Sequence, residues 1–340
     1  MSINCAPIII PTLCRYEHLK RCIESLQKNE LALQTELFIG LDYPAKEAHW
    51  PGYKKIKEYI EHGIEGFYKV TVIVHAENKG ADQNIDILRQ RVYEEYDQYI
   101  FTEDDNEFSP NFLKYMNKYL EEFSDDDTVQ AVTGYAYPVH YPRKDKVYFQ
   151  NVYFAAYGYG TWKKKEEVMF SEMTFENYNK LLQDKNFMKA LSRKSRNQFC
   201  NFVKGMLGYG FDVIADGKIR RIDINFGVWM FFRNKSMIFP TTSMVRNWGF
   251  DGSGINCDVL ETNMSREENH RTFNFSSQNI DSREDCVYDE FLSLEETRNT
   301  EKNLEKFFSI LEKEYIRTQM AFTLTRLIGL RRMRNLIKKI

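Results

Sequence analysis

The chain has 340 residues, 43% hydrophobic and 28% charged, enough to bury a large core in one large domain or two. Its 47 basic residues nearly balance 49 acidic ones, for a formal net charge of -2, so the basic surplus that phosphate-backbone binding needs is missing and no nucleic-acid partner is expected. Six cysteines, Cys5, Cys14, Cys22, Cys200, Cys257 and Cys286, show neither CxxC pairing nor short regular spacing, which indicates no zinc site, no disulfide framework and thiols in a reducing compartment.

Ala6-Pro7-Ile8-Ile9-Ile10-Pro11-Thr12 is a β-branched run bounded by prolines and predicts a buried first strand. A helix follows, with Leu19, Cys22, Ile23 and Leu26 at three- and four-residue spacing. Arg15 lies in the turn between them: it is either a solvated loop charge or, just past the carboxyl end of a parallel strand, a partner for a phosphate or base. Glu36 to Asp42 predicts a second strand ending in a carboxylate, and Val70 to His75 a third. Glu77-Asn78-Lys79-Gly80 and a helix through Ile85, Leu88 and Val92 come next.

The most informative stretch is Tyr99 to Pro110, an apolar, aromatic run that stops on Glu103-Asp104-Asp105. Three adjacent acids raise one another's pKa in a dry site unless a cation compensates them. A divalent ion bound through carboxylate oxygens is one reading, and an acidic surface turn is the other. Ser109-Pro110 reads as an N-cap with proline at the first helical position, ahead of an apolar face of Phe112, Leu113, Met116 and Leu120. Strands interleaved with helices predict a parallel, doubly wound sheet. Asp42 and Asp105, at strand ends on either side of the Gly80 turn, frame a nucleotide crevice. Neither GxGxxG nor GxxxxGK[ST] occurs, so phosphates would be neutralised by metal.

Beyond a strand at Val129 to Gly134 the chain turns aromatic from Tyr135 to Trp162, with rings that suit the apolar faces of sugars and serve equally as core. Gly158-Tyr159-Gly160-Thr161-Trp162 adds backbone freedom beside large rings, which lets a substrate lie close to the main chain. Residues 166–208 read as mainly helical and Met237 to Pro240 as a short strand. Val245 to Gly254 is a glycine-rich loop whose acid, Asp251, makes it a candidate site wall, and residues 258–285 read as polar surface loop. Helix returns from Leu292. From Ile316 to Ile340 the chain carries Arg317, Arg326, Arg331, Arg332, Arg334, Lys338 and Lys339 and no acid, with Leu324, Leu327, Ile328, Met333, Leu336, Ile337 and Ile340 on an apolar side. Such a tail either lies on an anionic membrane surface or packs on the body with its charges solvated. No stretch is long and apolar enough to span a bilayer and no basic-then-apolar signal opens the chain, which predicts a cytoplasmic protein, peripheral at most on the inner face of the cell membrane.

In order and content these segments resemble the GT-A fold glycosyltransferases, and among them a bacterial group similar to the N-acetylglucosaminyltransferase I family. The likeness spans roughly residues 6–256 and rests on four segments: Ile10-Pro11-Thr12 with Arg15; Phe101-Thr102-Glu103-Asp104-Asp105 with Ser109-Pro110-Asn111-Phe112; Gly158 to Lys163; and Asn247 to Gly254. Glu103-Asp104-Asp105 looks like that family's form of the DxD metal motif.

The resemblance implies an α/β, Rossmann-type mixed sheet flanked by helices, with a C-terminal helical extension. Residues 1–135 would form the nucleotide-sugar-binding half, 136–275 the acceptor-binding half of the same domain, and 276–340 the basic extension. It implies an inverting hexosyltransferase that uses Mn2+ or Mg2+ and a UDP-sugar such as UDP-GlcNAc. The acceptor would be an oligosaccharide or lipid-linked glycan of a capsule or lipopolysaccharide. Asp105 would ligate the metal, with Glu103 and Asp104 on the sugar and ribose. Arg15 and Asp42 fall where the family holds the uridine end, with Thr12, Asn78 and Gly80 beside them, while Gly160 and Trp162 shape the sugar and acceptor pocket. An inverting transfer needs a carboxylate base. Where the eukaryotic family places an aspartate just before a tryptophan, this chain has Gly227-Val228-Trp229, which leaves Asp251 and then Asp223 as candidates that could equally cap turns. A sugar nucleotidyltransferase, though the chain lacks that class's glycine-rich basic N-terminal loop, and a catalytically inactive carbohydrate- or nucleotide-binding relative are the alternatives.

Overall fold

Strand β1 (Ile8–Thr12) is almost wholly buried, its β-branched residues packed on both faces, and the sheet grows from it in both directions. The computed structural model describes residues 5–209, 213–215, 217–249, 251–253, 280–283 and 287–338. On one side of β1 lie β2 (Glu36–Leu41) and β3 (Lys69–Val74), and on the other β4 (Gln98–Phe101), all parallel. Helices α1 (Tyr16–Gln27), α2 (Trp50–Glu61) and α3 (Ala81–Val92) make the crossovers. Helix α1 buries Leu19, Cys22, Ile23 and Leu26, the face its periodicity predicts. Because the chain runs outward from β1 to β3 and then returns to the other side of β1, a crevice opens at the carboxyl ends of β1 and β4.

The chain continues through β5 (Asn106–Phe108), α4 (Phe112–Glu122), β6 (Val129–Thr133), β7 (Val147–Gln150) and β8 (Tyr159–Trp162). Four helices follow: α5 (Lys163–Glu172), α6 (Phe175–Gln183), α7 (Lys185–Lys194) and α8 (Arg196–Leu207). A small hairpin, β9 (Ile214–Ala215) with β10 (Lys218–Ile219), leads to α9 (Asp223–Arg233), β11 (Ser236–Pro240) and β12 (Val245–Asn247). The main sheet has eight strands in the order β3-β2-β1-β4-β8-β6-β11-β7, with β8 antiparallel to β4 and β6, and β7 antiparallel to β11. The expected mixed α/β sheet flanked by helices is present, and strands from residues 1–135 and 136–275 share it. Strands β5 and β12 pair separately.

Two local expectations are corrected. The backbone freedom expected of 158–162 is not used from Tyr159 on, where residues 159–162 form a central strand: every residue of β8 is buried, and the Trp162 indole N–H donates to the Leu120 carbonyl at 3.0 Å. Helix α4 starts at Phe112, not at Pro110. Ser109 is fully buried; its N–H donates to the Met244 carbonyl at 2.9 Å and its hydroxyl turns to Asn111 Oδ1, so it caps no helical N–H.

Helices α10 (Leu294–Phe307), α11 (Glu312–Ile328) and α12 (Leu330–Ile337) form the terminal extension, which opens on a Ser293–Glu296 capping box. It docks on the body where Phe308 stacks on Tyr153 at 4.5 Å and Phe199 meets Tyr315 and Phe322 edge-on. Among the described residues no helix is long and apolar enough to cross a membrane, and Cys5, Cys14, Cys22 and Cys200 are free thiols. Most of the polar stretch 258–285 lies outside the described residues, as do Phe250 and Gly254.

Candidate active site

Thr12 closes β1, and Glu103-Asp104-Asp105 follow β4, so the parallel pairing of these strands brings them to one crevice. The Arg15 guanidinium bridges the acids: Nη1 donates to Asp105 Oδ2 at 2.8 Å and Nη2 pairs with Asp104 Oδ1. The Thr12 hydroxyl donates to Asp104 Oδ2 at 2.7 Å. From across the crevice Asn247 Nδ2 donates to Asp105 Oδ1 at 3.1 Å, an approach fixed by β12 pairing with β5 so that Asn247 stands opposite Asn106. Asp104 and Asp105 are only 3% and 5% exposed.

Burial and the Asp105 charge push the Glu103 pKa up to about 8, against the pull of Arg15. Burial also raises Asp105 above the ordinary carboxylate range despite its ion pair with Arg15. Burial works against the Arg15 charge, but Asp104, Asp105 and Glu103 overcome it and hold the guanidinium pKa above its usual value.

A further acid, Asp223, comes from the other half of the fold. It is the first residue of α9, where the helix presents unpaired N–H groups and positive partial charge. Burial pushes its pKa up to about 7, while the Ala156 backbone and its own N–H pull it down, and its charge in turn raises Glu103. Among the described residues, Glu103, Asp104 and Asp105 thus gather around Arg15 with negative charge in excess, and the Asp223 charge acts on Glu103.

Asp251 occupies a different setting. Its side chain is 47% exposed, accepts a hydrogen bond from the Ser253 N–H at 2.9 Å and pairs with His18 Nε2 at 2.9 Å. Partial burial opposes its ionisation, but Ser253 and His18 outweigh it and hold the pKa at about 2. The loop leading to Asp251 folds over the acids. Trp248 donates its indole N–H to Glu107 at 2.8 Å under the Arg21 guanidinium, and Gly249 packs so closely that a Cβ there would lie 2.1 Å from Asp105 Oδ2.

Asp42, Asn78 and Gly80 form one cluster beside the crevice. The buried Asp42 carboxylate accepts the N–H groups of Tyr43 at 2.8 Å, Lys79 at 2.8 Å and Gly80 at 2.9 Å, and the Asn78 amide at 3.2 Å. It ties the turn after β3 to the end of β2, and Gly80, at φ +76°, adopts a backbone that favours glycine there. Gly160 and Trp162 lie elsewhere. Trp162 pairs with Gln98, at the end of β4 opposite Glu103, and a Cβ on Gly160 would meet Leu120 of α4 at 2.9 Å. These two residues, expected at the sugar and acceptor pocket, are buried in the sheet at that register. Sequence reading placed Asn247 and Gly249 in a candidate site wall without a contact to the acids, because only the non-local β5–β12 pairing brings them there, and it assigned no role to His18 of α1.

The family model described as Glycosyl transferase family 2 matches residues 8–195, more than half the chain. The chain belongs to this family. Residues 8–195 are therefore a glycosyltransferase domain, and the mixed sheet with a switch-point crevice is the GT-A arrangement. The matched region contains Thr12, Arg15, Asp42 and Glu103 to Asp105, while Asp223 and the 247–253 loop lie beyond it. No curated protein matches the sequence. Among solved structures, TarS of S. aureus aligns at 14% identity and a TM-score of 0.28, over 37% of this chain and 20% of TarS. A mannosyltransferase, PcManGT from Pyrobaculum calidifontis in complex with GDP-Man and Mn2+, aligns at 12% identity and a TM-score of 0.35, over 67% of this chain and 68% of that one. This family 2 glycosyltransferase thus spans a fifth of the length of TarS, and overlaps this low assign no residue role.

Proposed function

We propose that this family 2 enzyme is an inverting, metal-dependent hexosyltransferase, akin to the N-acetylglucosaminyltransferase I family, that moves a sugar from a UDP-sugar, UDP-GlcNAc first among them, to an oligosaccharide or lipid-linked glycan acceptor in surface-polysaccharide synthesis. The observation that carries the reading is the gathering of Glu103, Asp104 and Asp105 around Arg15 at the β1/β4 switch point.

A divalent cation suits this charge. Burial, with the neighbouring acids adding to it, raises the pKa of both Glu103 and Asp105 despite Arg15, so a further cation there would favour their charged forms. Among the described residues no three acids, histidines or cysteines form a closed cage, so Asp105 would hold the ion together with oxygens of the donor and water, as suits Mg2+ or Mn2+. When bound, the ion supplies Lewis-acid stabilisation of the departing nucleoside diphosphate.

The chain's own side chains do the rest. Arg15 and Asn247 fix the Asp105 carboxylate from two sides, and Thr12 with Arg15 aims Asp104. Asp104 and Glu103 accept hydrogen bonds from ribose and sugar hydroxyls, and the Asp42–Asn78–Gly80 turn walls the uridine end. Residues 1–135 thus carry the donor, and α9 from residues 136–275 brings the base. Asp223 is that base: it takes the proton of the acceptor hydroxyl from the open end of α9. It replaces Asp251 as first candidate, since Asp251 is exposed, held by His18 and Ser253, and too weakly basic. Gly227, one turn further along α9, has no room for an acid because a Cβ would lie 2.3 Å from the Val152 carbonyl oxygen.

Incubation with UDP-GlcNAc or UDP-galactose, with Mn2+ or with chelator, tests the reading through release of UDP. The expected outcome is Mn2+-dependent release that Asp105→Ala abolishes. Pyrophosphate released from a nucleoside triphosphate would point to a nucleotidyltransferase, and UDP binding without turnover of any donor to an inactive relative.

A further inference from the structure

We propose that α11 and α12 dock this enzyme on an anionic lipid bilayer through the outward face of α11. The inference concerns the C-terminal extension and does not depend on which donor is used.

Helix α11 has two apolar faces. On one, Thr318 and Thr325 are buried and Tyr315, Ala321 and Phe322 pack on the body, the rings of Tyr315 and Phe322 lying 6.0 and 5.7 Å from Phe199 of α8. On the other, Ile316, Met320, Leu324 and Leu327 are 47%, 61%, 45% and 76% exposed. Their spacing of four, four and three residues places them in one stripe on a helix of 3.6 residues per turn. Exposed Arg317 borders the stripe on one side and exposed Arg326 on the other. A contiguous apolar strip of this kind, edged by cations, is the pattern of an interfacial helix.

The charges sort the same way. The two acids of α11, Glu312 and Glu314, pair with Arg196 and Lys204 of α8 and so face the body. Past them the sequence holds no acid to its end. Among the described residues Arg317, Arg326, Arg331, Arg332 and Lys338 make no salt bridge, so their charge is uncompensated. Helix α12 extends the surface: Leu330 is buried, Met333 and Ile337 turn toward the body, and Leu336 is 50% exposed beside Arg331, Arg332 and Lys338.

Charge complementarity decides the occupant. A second copy docking the same face would set arginines against arginines, whereas anionic headgroups neutralise them while the stripe enters the acyl boundary.

The test floats full-length protein with vesicles of phosphatidylcholine alone or with about a third phosphatidylglycerol, at low and high salt. Wild type is expected on the anionic vesicles at low salt and off the neutral ones. A Met320→Glu, Leu327→Glu variant should lose at least about tenfold in partitioning, and each of Arg317→Ser and Arg326→Ser about fivefold, with a flatter salt dependence. Unchanged thermal melting confirms that these surface variants keep the fold. Wild type that ignores anionic vesicles, or variants that partition like wild type, overturn the proposal. So does a wild-type dimer that Leu327→Glu dissociates without any vesicle binding, which would make this face an interface between copies.

Discussion

Replacing Gly249 by alanine adds one methyl group at the point where the 247–253 loop crosses the acids. The new Cβ would lie 2.1 Å from Asp105 Oδ2, 2.8 Å from its Cγ and 3.3 Å from Asn247 Oδ1. Gly249 has no positive φ, so alanine strains the backbone little and the effect comes from contact. Ordinary contact begins near 3.4 Å. The carboxylate must therefore retreat by roughly 1 Å, away from Asn247 and from its 2.8 Å bond with Arg15. Overpacking of this kind costs about 1–3 kcal/mol, which a protein of this size survives. A misplacement of about 1 Å in a group that positions substrate costs on the order of a hundredfold in rate. Gly249→Ala should thus lower kcat/KM for the donor by about a hundredfold while the protein remains folded, as read by UDP release beside a thermal melt. Activity within about threefold of wild type in a folded variant would refute the claim that the position of Asp105 governs donor handling.

Asp223→Asn keeps shape and removes the proton acceptor, so kcat should fall by about 10²–10⁴ with UDP binding unchanged; equal loss of UDP affinity would argue for a structural role. Because the active form is the carboxylate and burial sets its pKa at about 7, the wild-type rate should decline as pH drops below about 7, and the variant should lose that limb. The same raised value means that the folded protein holds this proton more tightly than the unfolded chain, so stability falls as pH rises from 3.8 through about 7, and the variant should flatten that slope in pH-dependent melts. Arg15→Met strands Asp104 and Asp105 and should destabilise the metal-free protein by about 3 kcal/mol, the low end for a pair whose arginine is 20% exposed. Mn2+ should then raise its melting temperature more than that of wild type, and an equal shift in both would count against the charge argument. Gly160→Ala drives a methyl into Leu120 and Met116, at 2.9 and 3.1 Å, and should cost about 1–3 kcal/mol with the donor KM unchanged; a raised KM at unchanged melting temperature would return Gly160 to the pocket.

What could be read from the sequence follows how local each signal was. Runs such as Ile8-Ile9-Ile10 and Val70-Thr71-Val72-Ile73-Val74 carry their strand character in their own side chains, and the step from Phe101 to Glu103 marks where β4 ends at the crevice. Strand β8 was illegible because Gly158 and Gly160 interrupt residues that otherwise favour strands; its place between β4 and β6 and the close approach of α4 make it one. The acids' ligand-like setting was legible at Asp105, but its partner Asn247 is 142 residues away and met only through β12. Asp251 ranked above Asp223 on the strength of its glycine-rich surroundings. Pairing of Asp251 with His18 and the place of Asp223 at the start of α9 are tertiary facts, and the proposal that reverses the order rests on them.

Isothermal titration of UDP into the full-length protein, with and without Mn2+ and beside Asp105→Ala, tests the central claim most directly. UDP should bind wild type at least about tenfold more tightly with Mn2+ than without, and Asp105→Ala should lose that difference. Equal affinity in all these conditions would contradict a metal-assisted donor site at the end of β4.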